Sequence, residues 1–121
     1  MPIKSFLDLE VYQDSLLLSR DINILLKNYP SSEKFLLVDQ MNRTSRGIPS
    51  LLAEAWAKRR NLRQFKKYLQ DAIAETNEMM SHLEQSRLFK YIPDLQAQEL
   101  IERYDRLAAK ISKLKDNWQV Y

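Results

Sequence analysis

The sequence predicts an all-α fold, an antiparallel up-down-up-down four-helix bundle that forms a single domain over residues 1–121. Three observations lead to this prediction. The chain has one glycine and four prolines, which leaves few positions for the turns that a sheet requires. Apolar residues recur every three or four positions in four separate segments. The connections between these segments are short, as they are between antiparallel neighbours in helix bundles.

The first helix is expected to begin near Ser5, whose hydroxyl can cap a backbone amide near Asp8. It should end at residues 28–30, because a proline disfavours helical geometry in the residue before it. Its core positions are spaced by three, four or seven residues: Val11, Ser15, Leu18, Ile22, Leu25 and Tyr29. A second row widens the apolar face, as a bundle requires: Leu9, Tyr12, Leu16 and Leu26.

The second helix is expected to be capped by Ser31 or Ser32, with Glu33 at the positive end of the helix dipole. Phe35 and Leu37 then lead into the apolar stripe. That stripe continues at helical spacing through four residues: Met41, Ile48, Leu52 and Ala55.

Pro49 interrupts this stripe, at a cost of about 3 kcal/mol inside a helix. Two interpretations are open: a helix that ends near Arg46 with a second one starting at Pro49, or one long helix that kinks there. Because the apolar stripe keeps its phase across the proline, we predict one helix, kinked at Pro49.

The third and fourth helices show the clearest periodicity in the chain. Asn61 and Gln64 resemble a capping box, which predicts a third helix from there to about Phe89. Its core positions are Leu62, Phe65, Leu69, Ala72, Thr76, Met79 and Leu83. Pro93 is well placed to start the fourth helix, whose core positions are Leu100, Tyr104, Leu107, Ile111, Leu114 and Trp118.

Composition and motif content argue against catalysis. Without cysteine the chain has no disulfide, thiolate zinc site or thiol nucleophile, which fits the cytoplasmic location that we expect. The only histidine, His82, follows Glu78 by four residues instead of the three of a di-iron motif. We interpret Glu75, Glu78 and His82 as a solvated ion-pair face beside the core. We therefore expect no enzyme, no catalytic residue, no metal and no cofactor. We also expect neither a membrane span nor a signal peptide.

Positive charge is concentrated in one segment, although the net charge of the chain is only +3. Eight cations lie there against Glu54 alone: Arg43, Arg46, Lys58, Arg59, Arg60, Arg63, Lys66 and Lys67. Helical spacing places them away from the core, so they predict a surface on helices two and three that binds nucleic-acid phosphates. A solvated face, or a surface that docks an acidic partner protein, would give the same pattern. Trp56 and Tyr68 lie near enough to stack on bases, although core packing also explains them.

Apolar residues outside the core stripes predict a subunit interface. Five residues form this set: Leu36, Leu51, Trp56, Tyr68 and Leu88. Wide helix faces are the alternative explanation for them.

The segments 47–50 and 53–54, Gly-Ile-Pro-Ser and Ala-Glu, resemble the signature of proteins encoded in intervening sequences of 23S rRNA genes. Matching residues lie on both sides of it: Phe6, Leu9, Val11, Gln13, Pro30, Glu33, Gln40, Phe65, Leu69, Ala72 and Glu75. The chain departs from that signature at Gly47, Leu51, Leu52 and Ala55, where the family has Ser, Asn, Ile and Gly.

The resemblance implies a four-helix bundle that assembles into a ring-shaped homopentamer. It also extends to the accessory variability determinant of diversity-generating retroelements, which binds nucleic acid and partners a reverse transcriptase. We therefore predict a non-enzymatic oligomeric adaptor for structured nucleic acid, RNA in preference to DNA, with a reverse transcriptase as the partner that the resemblance implies. The alternative is a scaffold that docks an acidic partner protein.

Overall fold

The computed structural model describes residues 2–118, and within that range all of the regular structure is helical. The four α-helices are α1 (Glu10–Leu26), α2 (Leu37–Ala57), α3 (Leu62–Leu88) and α4 (Asp94–Asn117). Two short 3-10 turns, Phe6–Asp8 and Ser31–Glu33, precede α1 and α2. The predicted all-α class with four helices is thereby confirmed.

Each helix packs against two others, α1 against α2 and α4, and α3 against α2 and α4. Among these four pairs, α1 and α4 are the least closely packed. Side-chain contacts connect distant parts of the chain: the Ser86 hydroxyl lies 3.7 Å from Met41 Sδ, and Lys110 Nζ lies 2.7 Å from Glu10 Oε1. The up-and-down order of the helices stays a prediction.

The core follows the predicted periodicity along most of each helix. The five positions of the first row on α1 are buried, as is Tyr29 just after the helix, and so are the predicted α3 core positions from Phe65 to Leu83. Two residues expected on apolar faces are exposed instead. Leu16 is 50% exposed, since it lies about 100° around the helix from buried Ser15. Leu62 is 39% exposed, because it is the first residue of α3 and lies at the end of the bundle.

The start of α1 differs from the prediction. Ser5 forms a capping box with Asp8, but the box caps a single 3-10 turn. Leu9 then adopts an extended conformation, with φ −70° and ψ 126°, so α1 begins at Glu10. The Leu9 side chain lies in the core, where it is almost fully buried.

The start of α2 also differs from the prediction, because neither Ser31 nor Ser32 caps it. Instead, the Glu33 carboxylate accepts a hydrogen bond from the backbone N–H of Leu37 at 3.1 Å. The helix starts only at Leu37, so Phe35 remains in the turn and is 82% exposed.

A single helix, α2, runs through Pro49, which excludes the interpretation with two helices. The pyrrolidine ring is buried, and nearby the Ser50 hydroxyl donates to the Arg46 carbonyl at 3.2 Å. A Cβ at Gly47 would meet no heavy atom within 4 Å, so the serine of the resembled signature would fit there. The bend at Pro49 stays a prediction.

The last two helix starts agree with the sequence. Asn61 Oδ1 accepts from the backbone N–H of Gln64 at 3.2 Å and caps α3, and Pro93 directly precedes α4. Between them, Lys90 has a φ of 63°, which ends α3 in the left-handed conformation common after helices.

Candidate nucleic-acid interface

Most of the predicted basic surface lies where α2 passes into α3. Three of its cations belong to the four-residue connection, and three lie on the first two turns of α3. We call these six residues the basic end: Lys58, Arg59, Arg60, Arg63, Lys66 and Lys67. Asn61 ends this short connection by capping α3. The cations of the connection are therefore neighbours of those on the first two turns of α3.

The other two predicted residues, Arg43 and Arg46, lie elsewhere. Arg46, on α2, precedes Lys58, the first residue after that helix, by twelve positions, or about 18 Å along the axis. Arg43 pairs with Asp39 at 2.9 Å, and Arg46 donates to Asn23 on α1 at 3.4 Å. The structure therefore separates these two residues from the basic end.

Three cations of the basic end, Lys58, Arg60 and Arg63, lie on its outer surface. Within residues 2–118, none of the three makes an ion pair or a side-chain hydrogen bond. Their charge is therefore available to an anionic ligand without first breaking an internal contact. Lys66 is half-buried.

Arg59 is held in place by its neighbours. Its guanidinium lies 4.2 Å from the centre of the Trp56 ring, and its Nη1 donates to the Trp56 carbonyl at 3.1 Å. A cation above an aromatic face is stabilised by about 0.5–1 kcal/mol at an exposed site. These two contacts favour one position of the Arg59 side chain.

Aromatic packing supports this end of the bundle. Trp118 lies 4.6 Å from Phe65 and 6.0 Å from Trp56, measured between ring centres. Both Trp56 and Tyr68 are half-buried against the core. Both aromatics therefore contribute to the core, and base stacking by either of them stays a prediction.

Lys67 is the one cation of the basic end that has an acidic partner in the described part of the chain. Its ammonium lies 3.0 Å from Asp71, and hydrogen bonding to that carboxylate raises the pKa of Lys67. The lysine therefore stays protonated, but Asp71 offsets part of its attraction for phosphate.

The predicted interface residues fall into two groups. Leu51, Trp56 and Tyr68 are half-buried against the core, whereas Leu36 and Leu88 are exposed and lie at the ends of α2 and α3 that are far from the basic end. Phe35 and Phe89 lie beside these two leucines in sequence and are exposed as well, and we call the four the apolar tip: Phe35, Leu36, Leu88 and Phe89. The sequence pattern does not single out the two phenylalanines, because it predicts Phe35 at the start of one helix and Phe89 at the end of the next.

A hydrogen bond joins the two turns that carry the apolar tip. The Tyr91 hydroxyl donates to the Glu33 carboxylate at 3.2 Å, and the Tyr91 ring lies 5.3 Å from that of Tyr29. The four exposed apolar side chains therefore belong to one end of the bundle.

The sequence predicts that His82 lies on a solvated face, and this prediction is wrong. Its side chain is only 8% exposed, and its Nε2 lies 3.4 Å from the more exposed Glu78 carboxylate. The bundle buries it because it follows core residue Met79 by three positions. Burial, and then the neighbouring Glu78 charge, raise the pKa of Glu75. Among the described residues, no group of three His, Cys, Asp or Glu side chains is arranged to hold a metal ion.

Residues 7–113 match the family described as 23S rRNA-intervening sequence protein. The match begins in the first 3-10 turn and ends within α4, so it covers all four helices. No curated protein matches the chain. In the part of the chain that the structure describes, no helix is both long and apolar enough to cross a membrane.

Proposed function

Because the chain belongs to the 23S rRNA-intervening sequence protein family, we propose that it is a non-enzymatic oligomeric adaptor that binds structured nucleic acid through the basic end. The observation that carries the proposal is the set of three surface cations, Lys58, Arg60 and Arg63, that have no ion-pair partner among residues 2–118. The description of the family, which names 23S rRNA, favours RNA over DNA as the ligand.

The chemistry of the basic end suits phosphates better than bases. Lysine and arginine neutralise phosphate charge and release the counterions condensed on the nucleic acid, which drives binding at low salt. Such contacts position the ligand without reading its sequence. Arg59 lies against Trp56, an arrangement that leaves this indole packed rather than free to stack on a base. We therefore expect recognition of shape and charge, with little sequence preference.

Assembly would multiply these contacts. The homopentamer that the family resemblance implies would present five copies of the basic end, and the apolar tip offers exposed surface for subunit contact. The antiparallel order of the helices, which the short connections favour, places the apolar tip and the basic end at opposite ends of each bundle. A reverse transcriptase as partner stays a prediction from the resemblance alone.

The second candidate function is a scaffold that docks an acidic partner protein at the same end. Half-buried Trp56 and Tyr68 among the cations favour it, because aromatic residues and arginine are enriched in protein interfaces.

A matched pair of triple variants tests the proposal. The first replaces Lys58, Arg60 and Arg63 with Gln, and the second replaces Lys27, Lys34 and Lys90 with Gln. The second set is also exposed and without ion pairs among the described residues, but it belongs to the opposite end of the bundle. Both variants remove the same charge, so only the position of that charge differs.

The measurement is fluorescence anisotropy over a salt series. It uses a labelled RNA hairpin and a DNA hairpin of the same sequence. We expect the first variant to bind more weakly and its salt slope to flatten by about 0.7–0.9 for each phosphate that is no longer neutralised. The second variant should keep a slope near that of the parent. Equal weakening of both variants would show that net charge alone matters. If the parent binds neither hairpin at low salt, the scaffold function is the better account.

A further inference from the structure

A lysine of α4 adds to the basic end from across the bundle. The Lys115 ammonium donates a hydrogen bond to Gln70 Oε1 on α3, at 2.8 Å. Gln70 follows Lys66 and Lys67, two cations of the basic end, by about one helical turn. The contact therefore places Lys115 beside cations that lie far from it in the chain.

Three residues of α3 form one row beside Lys115. Arg63, Lys66 and Gln70 are spaced i, i+3 and i+7, so they lie on the same side of the helix. Because Gln70 contacts Lys115, this row borders α4. We call these four residues the α3–α4 seam: Arg63, Lys66, Gln70 and Lys115. The two helices pack together more extensively than any other pair, so the core fixes their relative position.

The contact between Lys115 and Gln70 sets the orientation of the glutamine amide. An ammonium can only donate hydrogen bonds, so the amide presents its oxygen to Lys115 and directs its NH2 group elsewhere. In the described part of the chain that NH2 group has no acceptor. Lys115 uses one of its three N–H groups on Gln70, which leaves two for another acceptor. The α3–α4 seam therefore offers hydrogen-bond donors to a ligand.

Neighbouring carboxylates do not cancel the charge of the α3–α4 seam. Asp71 directly follows Gln70, so it lies about 100° around α3, and it is engaged with Lys67 at 3.0 Å. Asp116 directly follows Lys115 and lies about 100° around α4. Among residues 2–118, none of the three cations of the seam forms an ion pair. Their charge is therefore available to an anion.

We propose that the α3–α4 seam binds successive phosphates of a nucleic-acid strand that also contacts the basic end. Arg63 and Gln70 are about 10 Å apart along α3. One strand of a duplex presents about three phosphates over that length. Arginine, lysine and glutamine side chains all donate to phosphate oxygens. The inference rests on the proposed function, and it adds Gln70 and Lys115 to the interface as phosphate-binding residues.

The composition of the α3–α4 seam favours a nucleic-acid strand over an acidic protein. The centres of protein interfaces are depleted in charged residues, and lysine is depleted in particular. Two of the four seam residues are lysines, and none of the four is apolar. The length of the row also favours a strand over a free phosphate ion, because a single phosphate can reach only one part of it.

Lys115→Gln tests the proposal with the labelled RNA hairpin. It should raise the dissociation constant about tenfold, because a charge-assisted hydrogen bond to phosphate is lost. The salt slope should flatten by about 0.7–0.9, since one phosphate is no longer neutralised. Lys113→Gln is the matched control, because Lys113 is exposed and lies only two positions away on α4, but about 160° around the helix. It should change the dissociation constant less than about twofold.

A second pair of variants tests Gln70. Gln70→Glu keeps the size of the side chain, but its carboxylate would engage the Lys115 ammonium and repel phosphate, so RNA binding should weaken about tenfold or more. Gln85→Glu makes the same change of charge at an exposed position of α3, about 22 Å further along the helix, and should have little effect. Circular dichroism checks that both variants keep their helix content. If Gln70→Glu bound RNA as well as Gln85→Glu does, the proposal would be wrong.

The same measurements separate this inference from the proposed function. If replacing Lys58, Arg60 and Arg63 with Gln weakens RNA binding while Lys115→Gln does not, the basic end binds RNA and the α3–α4 seam does not. Equal weakening by Lys115→Gln and Lys113→Gln would mean that net charge alone acts, which also overturns the seam. If the parent protein binds no hairpin at low salt, both proposals fail.

Inorganic phosphate distinguishes a strand from a single anion. Added at the same ionic strength as a chloride control, it should displace the labelled hairpin no better than chloride does, because one phosphate replaces only one contact of the strand. Displacement by phosphate at a concentration where chloride has no effect would indicate a site for a free phosphate ion. That result would overturn the proposal of a strand along the α3–α4 seam.

Discussion

The indole Nε1 of Trp118 donates a hydrogen bond, 3.4 Å long, to the backbone carbonyl of Arg59. This bond joins the region just after α4 to the connection between α2 and α3. The indole also packs against the Phe65 ring. The last described residue of the chain therefore supports the turn that presents the cations of the basic end.

Replacing Trp118 with Ala should lower the free energy of unfolding by about 2 kcal/mol, since it removes both a half-buried indole and its hydrogen bond. Urea denaturation measures this change. Trp118→Phe keeps an aromatic ring on Phe65 and should recover most of the stability. An unchanged unfolding midpoint in Trp118→Ala would show that the indole contributes little.

Pro49→Ala should lower stability or change the assembly, although it restores a backbone donor inside α2. The proline ring is buried, so alanine leaves a gap among core residues that costs about 1 kcal/mol or more. If the proline merely interrupted the helix, the substitution would instead stabilise the protein by up to about 3 kcal/mol. Thermal unfolding measures the stability of the variant, and light scattering measures its assembly mass. A more stable variant with the same mass would contradict our expectation.

Tyr104→Phe should stabilise the protein by about 1 kcal/mol, because the buried Tyr104 hydroxyl has no hydrogen-bond partner among the described residues. Burial also raises the pKa of this phenol. Tyr91→Phe is the control, since it removes a hydroxyl that donates to Glu33 and should therefore lower stability. The two changes are chemically identical, so opposite shifts of the urea midpoint would reflect the different surroundings. A destabilised Tyr104→Phe would indicate a partner for that hydroxyl.

Glu75→Gln should stabilise the protein near neutral pH, and this effect should disappear in acid. Burial and the Glu78 carboxylate raise the pKa of Glu75, so its ionised form opposes folding. This cost is present above the folded-state pKa and disappears as the pH falls below the unfolded value of about 4.3. Urea unfolding at about pH 7 and about pH 3.5 compares the two conditions. Asp105→Asn, at an exposed position on α4, provides the reference. If Glu75→Gln raised the stability equally at both pH values, the raised pKa of Glu75 would not be the cause.

Light scattering should give about five times the chain mass of 14.4 kDa, as the predicted homopentamer requires. Replacing both Leu36 and Leu88 with Ser should reduce that mass, because both leucines are exposed at the apolar tip. Circular dichroism should show unchanged helix content, since neither side chain supports the core. A parent protein that is monomeric at micromolar concentration would refute the assembly.

Local periodicity explains why most of the fold could be predicted from the sequence. The burial of Leu18, Met41, Phe65 and Ile111 follows from three-four spacing, which a helix imposes whatever its neighbours are. Asn61 could likewise be assigned as a cap, since its side chain bonds to a backbone amide only three residues away.

Spacing within one helix predicts less about the candidate site, because the site depends on more than one helix. Spacing along α2 and α3 predicted that the cations face outward. One helix through Pro49 already places Arg46 about 18 Å from Lys58. The contact of Arg46 with Asn23 on α1 could not be predicted, because it depends on how two helices pack.

The sequence by itself determined four helices, their core faces and the concentration of charge near one connection, because each of these depends on residues close together in the chain. The tertiary structure alone decided that α1 starts only after an extended Leu9, that His82 is buried and that cavities lie between α1 and α4. The physical reason is that burial and cavities depend on how closely two helices approach each other. That distance is set by side chains from both helices at once, and the pattern of a single helix does not contain it.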